Sequence, residues 1–272
     1  MIEPLRDAIQ SLPAHQRLNG AREYLQRLLL QALDQEGLRK QLAFTNGTAL
    51  HLIFGTQRFS EDLDFSLIEP KSYTTKPISD ALERRLRQSG LRPEIWNYKD
   101  EKTIASFSIR FADLLHPLGL SPNKTQKLSI KFEVDKRPPL GGEVEETLIQ
   151  NPFLFLSTHY TLPSLFATKL HAILFRRYIK GRDYYDLLFY LGKKVRPSLK
   201  LFQNAVKQTH PDQLFPSLRQ VYEALQKKIG SIDDPVMRRD VEPFLLNPEE
   251  FRFIRKDIML KALSDNAALF IS

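Results

Sequence analysis

The chain has 272 residues, 42% hydrophobic and 26% charged, which suits one or two globular domains and excludes a disordered or collagen-like chain. It has no cysteine, so disulfides, thiolate metal sites and a cysteine nucleophile are excluded, and the cytoplasm is the expected compartment. The net charge of +8 is concentrated: residues 151–200 hold 9 basic and 2 acidic side chains, against 21 and 20 in residues 1–150 and 10 and 10 in residues 201–272, a local field suited to a polyanion or a nucleoside triphosphate.

In chain order, residues 1–40 read as helical, with Leu5, Ile9 and Leu12 on one stripe and Tyr24, Leu25, Leu28, Leu29 and Leu33 on another. A short apolar run then reaches Thr45, Asn46-Gly47 predicts a turn, and Ala49, Leu50, Leu52 and Ile53 resume a helical pattern up to Gly55. In FSEDLDFSL, Leu63, Phe65 and Leu67 alternate with Asp62, Asp64 and Ser66, the period of a strand. Residues 77–89 read as a helix ending at Ser89-Gly90, and three strands are expected in RPEIWNY, TIASFSIRFADLL and KLSIKFEVDK. RPPLGGEVEET reads as a turn-rich break. Beyond it the pattern predicts helices over 163–178, 181–192, 198–209, 214–229 and 248–263. The expected fold is therefore α+β: a mixed sheet with flanking helices over residues 1–150, then a helical domain over 151–272. No signal peptide is expected, and no apolar stretch approaches the ~20 residues of a membrane span.

The strongest chemical signal is NGTAL followed by RFSEDLDFSL. Gly47 lets the backbone approach a ligand, Thr48 is expected to open a helix whose free N–H groups suit a phosphate, and Ser60 adds a hydroxyl. Asp62 and Asp64 are i, i+2 on a strand and point the same way. Their mutual repulsion is relieved by a hard divalent cation such as Mg²⁺, which takes one or two carboxylates plus phosphate oxygens. Glu133 is the first choice for a third carboxylate and Asp135 the second; they share a strand face, so sequence does not separate them. A solvated acidic sheet face is the plain alternative.

The second signal is TKLHAILFRRYIKGRDYYDLL. On one helix Lys169 and Arg176, seven apart, share a face and are candidates for holding nucleotide phosphates. Arg182, Asp183 and Asp186 cluster at the start of the next helix, where capping is the simpler role. Tyr184, Tyr185, Phe189 and Tyr190 suit a core better than base stacking, and His171 reads as a packing or substrate-side residue. Walker, Rossmann, G-x-S-x-G and H-E-x-x-H patterns are all missing.

NGTALHLIFGTQRFSEDLDF followed by TKLHAILFRRYIKGRDYYDL, with KLSIKFEVD between, resembles the AbiEii/AbiGii-type nucleotidyltransferase toxins of the DNA polymerase β-like superfamily. The family's usual Gly-Gly or Gly-Ser appears here as Asn46-Gly47-Thr48. The resemblance implies that Asp62 and Asp64 are metal-binding carboxylates with Ser60 as a phosphate contact. It implies that Lys169 and Arg176 hold the triphosphate, and that Lys180, Arg182, Asp183 and Asp186 form a K-x-R-D-x-x-D motif with Asp183 as the catalytic or acceptor-orienting carboxylate. It also implies a partner antitoxin protein and, for some members, modification of the tRNA 3′ end.

Both lines lead to one expectation: Mg²⁺-dependent transfer of a nucleoside monophosphate from an NTP to an acceptor, RNA first among them. Two alternatives stay open, a nucleotide- or RNA-binding module without turnover and transfer to a protein side chain.

Overall fold

In a computed structural model, residues 2–69 and 73–271 are described, and they cluster into two units. The first comprises residues 1–53, 59–138 and 145–159; the second comprises 54–58, 139–144 and 160–272.

The first unit opens with helices α1 (Ile2–Gln10) and α2 (Arg17–Gln35), the latter burying Leu25, Leu28, Leu29, Ala32 and Leu33 along one stripe. Strand β1 (Leu42–Thr45) leads into a short helix, α3 (Asn46–Leu52), and β2 (Leu63–Leu67) follows. Then come α4 (Lys76–Gln88), β3 (Pro93–Lys99), β4 (Ile104–Phe111), β5 (Leu128–Asp135), β6 (Val144–Ile149) and β7 (Phe155–Tyr160). The seven strands form one sheet in the order β3-β4-β5-β2-β1-β7-β6. It is mixed: β2 runs parallel to β5 and β1 to β7, while β1–β2, β3–β4 and β4–β5 are antiparallel.

One face of this sheet carries a row of phenylalanines. Phe44, Phe65, Phe132 and Phe107, from β1, β2, β5 and β4, have neighbouring ring centroids 5.2, 4.7 and 4.9 Å apart, and all four are buried. A slip of one residue would turn any of these rings to the other face, so the row fixes the register of the four strands.

In the second unit the helices are α5 (Leu162–Phe175), α6 (Gly181–Gly192), α7 (Leu199–Thr209), α8 (Leu218–Gly230), α9 (Asp234–Val241), α10 (Lys256–Asp265) and α11 (Ala268–Ile271). Gly181 begins α6 where a Cβ would fall 1.8 Å from the carbonyl oxygen of Met237, so the approach to α9 admits only glycine. Segment 54–58 is fastened within this unit: Arg58 bridges Leu245, and the Leu246 N–H donates to the Gln57 carbonyl at 3.1 Å.

Several expectations need correction. Strand β6 lies in the stretch read as turns, and β7 in the stretch assigned to the helical domain, ahead of its first expected helix at 163. FLSTHY is buried on nearly every residue and so lacks alternation, while VEETLI is exposed and acidic, as an edge strand tends to be. Helix α5 stops at Phe175 rather than 178, so Arg176 lies just past it in extended backbone. Helix α8 starts at Leu218 rather than 214, α9 was not anticipated, and the expected helix over 248–263 is a 3-10 turn (Pro248–Phe253) followed by α10. No described helix is long and apolar enough to cross a membrane.

Candidate active site

In the first unit the acids follow from the phenylalanine row. With Phe65 and Phe132 turned inward, Asp64 and Glu133 are directly paired residues of parallel β2 and β5 and share the opposite face. Asp135 pairs with Ser66, one step further along, so the register puts Glu133 beside Asp64 and takes Asp135 away from it. Burial holds the Asp135 carboxyl above its ordinary range.

The loop into β2 is held from two sides. Thr48 does not open α3, which begins at Asn46 in the left-handed region at φ 60; Thr48 and Gly47 sit buried in its first turn. The Thr48 hydroxyl donates to the Asp62 carbonyl, fixing the backbone where the acidic pair begins. On the other side the buried Gln26 of α2 donates from Nε2 to the carbonyls of Ser60 and Glu61 at 3.1 and 2.9 Å. Gln26 is a positioning residue that sequence reasoning missed, since a lone glutamine in a leucine-rich helix gives no periodic signal. Glu61, which breaks the alternation, has Arg22 of α2 at 3.8 Å.

A cation already stands on this face. Lys131 Nζ lies 2.7 Å from Glu133 Oε1. Burial pulls its pKa down, but Glu133 and then Asp62 and Asp64 outweigh that and hold it above the usual lysine value. The face therefore attracts positive charge, and its donors are hard oxygens. Asp62 and Asp64 fit Mg²⁺ on these grounds. Glu133 does not complete a three-acid set as the side chains stand: its carboxylate is on Lys131, and among the described residues no three His, Cys, Asp or Glu side chains are grouped to hold a metal.

The second unit assembles a separate charge network around α5 and α6. Lys169 Nζ donates to Asp183 Oδ1 at 2.7 Å and lies 2.8 Å from Asp186 Oδ2. Arg58 grips Asp186 through Nε and a terminal nitrogen, both at 2.7 Å. Arg176 pairs with Asp183 Oδ2 at 3.0 Å. Arg58 is 2% exposed and Asp186 0%, so this is a buried ion cluster and not the capping arrangement that sequence suggested for the two aspartates. Burial pushes the Asp186 carboxyl up, yet Arg58 and Lys169 outweigh it and hold it below the ordinary value. Burial likewise pulls Lys169 down, and Asp183 and Asp186 reverse the sign.

Not every residue of the second motif joins this cluster. The Arg182 backbone N–H donates to Asp240 Oδ2 at 3.1 Å and its guanidinium lies over the Phe244 ring at 4.1 Å. Lys180 precedes α6, and burial followed by Arg182 holds its pKa below the usual lysine value. Tyr184, Tyr185 and Tyr190 are buried, with Tyr190 stacked on Phe166 at 4.5 Å, as core residues. His171 packs beside the stacked rings of Phe175 and His210. Arg58 is the second residue that sequence reasoning missed, because its partner lies 128 residues away.

Comparison with known proteins agrees with this fold. A candidate nucleotidyltransferase from H. pylori, known from its crystal structure, is similar at a TM-score of 0.51 and 19% identity, over 91% of this chain and 96% of that one. JHP933 from Helicobacter pylori matches over the same shares at 18% identity with a TM-score of 0.45. No curated protein matches the chain. The family model described as "Nucleotidyl transferase AbiEii toxin, Type IV TA system" matches residues 27–267, which takes in both motifs and every strand, and the chain accordingly belongs to the AbiEii family of nucleotidyltransferase toxins.

Proposed function

We propose that this nucleotidyltransferase is Mg²⁺-dependent and transfers a nucleoside monophosphate from an NTP to an RNA acceptor, a tRNA 3′ end in the first instance. The observation that carries the reading is Asp64 on the sheet face opposite the phenylalanine row, with Asp62 two residues before it and both acting on Lys131 of that face. Asp62 and Asp64 would hold the metal ion, with nucleotide phosphate oxygens filling its other positions; when bound, the ion polarises the phosphate and offsets its charge.

The chain's own residues position and neutralise. Thr48 and Gln26 hold the backbone carbonyls of residues 60–62, which fixes the chain leading into the acidic pair. In the second unit, Asp183 and Asp186 orient Lys169 and Arg176. Both Asp183 oxygens carry a cation, which suits it to holding those cations for a phosphate chain better than to accepting a proton. The reading gives the triphosphate to Lys169, Arg176 and Lys180. The acceptor 3′ hydroxyl attacks the α-phosphorus and gives up its proton to water, a P–O bond forms, the bond to the β-phosphate breaks and pyrophosphate leaves. In-line phosphoryl transfer of this kind asks the protein mainly for placement and charge stabilisation.

The test is incubation with total tRNA, Mg²⁺ and each α-labelled NTP in turn. Label on RNA is expected from the wild type, with a loss of at least a hundredfold in Asp62→Asn of unchanged circular dichroism. Label on protein would move the acceptor to a side chain. RNA retention without label from any NTP would leave a binding module.

A further inference from the structure

The face that carries the acids does not end with them. Parallel pairing sets Glu133 beside Asp64, and on the next strand Ser106 pairs with Glu133 and Ser108 with Lys131. Beyond that, Trp96 of β3 pairs with Ser108 and Glu94 with Arg110. Paired residues point to the same face, so Trp96 and Arg110 stand on the acidic side of the sheet, away from the phenylalanine row.

Trp96 is the only tryptophan in the chain and is 48% exposed. The Arg110 guanidinium lies over its ring, 4.1 Å from the centroid. The nearest carboxylate in register, Glu94, is taken by Lys127 at 2.6 Å, while Arg110 makes no ion pair among the described residues. About half of the indole remains open to solvent and to a ligand. Glu94 acts electrostatically on Arg110 as well as on Lys127, so these two cations share one carboxylate and leave a net positive charge; with it the indole offers a π surface for a base and a cation for a phosphate, the pairing that single-stranded nucleic acid uses.

We propose that Trp96 and Arg110 form a platform for the single-stranded 3′ end of the RNA acceptor, with a base on the indole and the backbone beside the guanidinium. This rests on the reading of the enzyme as acting on RNA. From β2 to β3 is three strand spacings, roughly 14 Å at about 4.8 Å each. The indole thus stands at the edge of the sheet, three strands from the acids, where the acceptor strand is assigned to it, and an NTP-only titration separates that assignment from binding of the NTP base. Net positive charge beside the indole favours a polyanion over an acidic-to-neutral protein surface of the usual kind.

With one tryptophan, intrinsic fluorescence reports on the platform directly. A short single-stranded oligoribonucleotide with a free 3′ hydroxyl is titrated into the full chain without NTP. Quenching is expected, weakening steeply with salt. Trp96→Ala, followed by anisotropy of a labelled oligoribonucleotide, is expected to weaken binding roughly tenfold or more, with Trp96→Phe recovering most of the loss. Arg110→Gln is expected to weaken binding and flatten its salt dependence. Unchanged fluorescence with RNA, equal quenching by an NTP alone, or undiminished RNA affinity in Trp96→Ala would each overturn the proposal. Quenching by a protein partner but not by RNA would also overturn it. Because the readout is binding, a wild-type chain that quenches with RNA yet transfers no nucleotide would refute the proposed function and leave the platform standing.

Discussion

Replacing Arg58 by methionine tests whether the buried cluster is what holds Lys169 in place. Methionine keeps most of the length and apolar volume while removing the charge. Asp186 is fully buried and spends two oxygens on Arg58, each at 2.7 Å, and one of them also faces Lys169. After the substitution a buried carboxylate keeps one partner of two. Removing one member of a buried pair costs about 3–5 kcal/mol, because the orphaned charge is left without solvent. At about 2–4 °C per kcal/mol for a chain of this size class, the melting temperature falls by roughly 6–20 °C. Urea denaturation followed by far-UV circular dichroism measures the loss. The double variant Arg58→Met with Asp186→Leu removes both charges and recovers most of it, since well-packed apolar replacement of a buried pair is close to neutral. A loss under about 1 kcal/mol in the single variant, or no recovery in the double, would refute the argument.

Two further outcomes follow from side chains already placed. Lys131 stands on the acidic face with its side chain 45% exposed, so Lys131→Ala removes a like charge from the proposed metal site and frees Glu133. At nearly water-like screening this is worth about 1 kcal/mol, so Mn²⁺ affinity by calorimetry rises roughly fivefold, and an unchanged or weaker affinity would remove the acids from the metal's surroundings. His171 is held down to about 4 by burial and then by His210, against 6.5 when unfolded. The unfolded chain therefore takes up the proton first: stability is full above pH 6.5 and declines as pH falls toward 4, and His171→Gln flattens that decline in urea melts.

The acidic half of the site was legible because alternation is a local property. Leu63, Phe65 and Leu67 facing the core oblige Asp64 to take the other side, whatever else the fold does, while Asp62 precedes the strand and is placed by the Thr48 contact to its carbonyl. The register between β2 and β5 was not legible, since it is set by contacts among Phe44, Phe65, Phe107 and Phe132 on four strands distant in sequence. Hence the sequence leaves Glu133 and Asp135 level, and the pairing separates them. Strands β6 and β7 were lost for opposite reasons: one is buried on both faces and the other lies at an edge, so neither shows the half-buried period that identifies a strand.

Charge counting misleads in the second half for a related reason. The excess in residues 151–200 reads as a phosphate-binding field. Two of its cations, Lys169 and Arg176, are matched by Asp183 and Asp186, and the cluster recruits a third cation, Arg58, from outside that stretch. Three positive and two negative groups leave a single surplus charge where the linear count suggested several. Under the proposed function, a phosphate chain meeting this cluster would find cations already held in place by carboxylates. Binding does not have to order them, and rigid placement rather than raw charge is what phosphoryl transfer needs from such a group. The same pairing explains why a lysine can be buried here and remain charged: the two aspartates that neutralise it also keep its pKa high, so the site keeps its cation at the cost of a weaker long-range field.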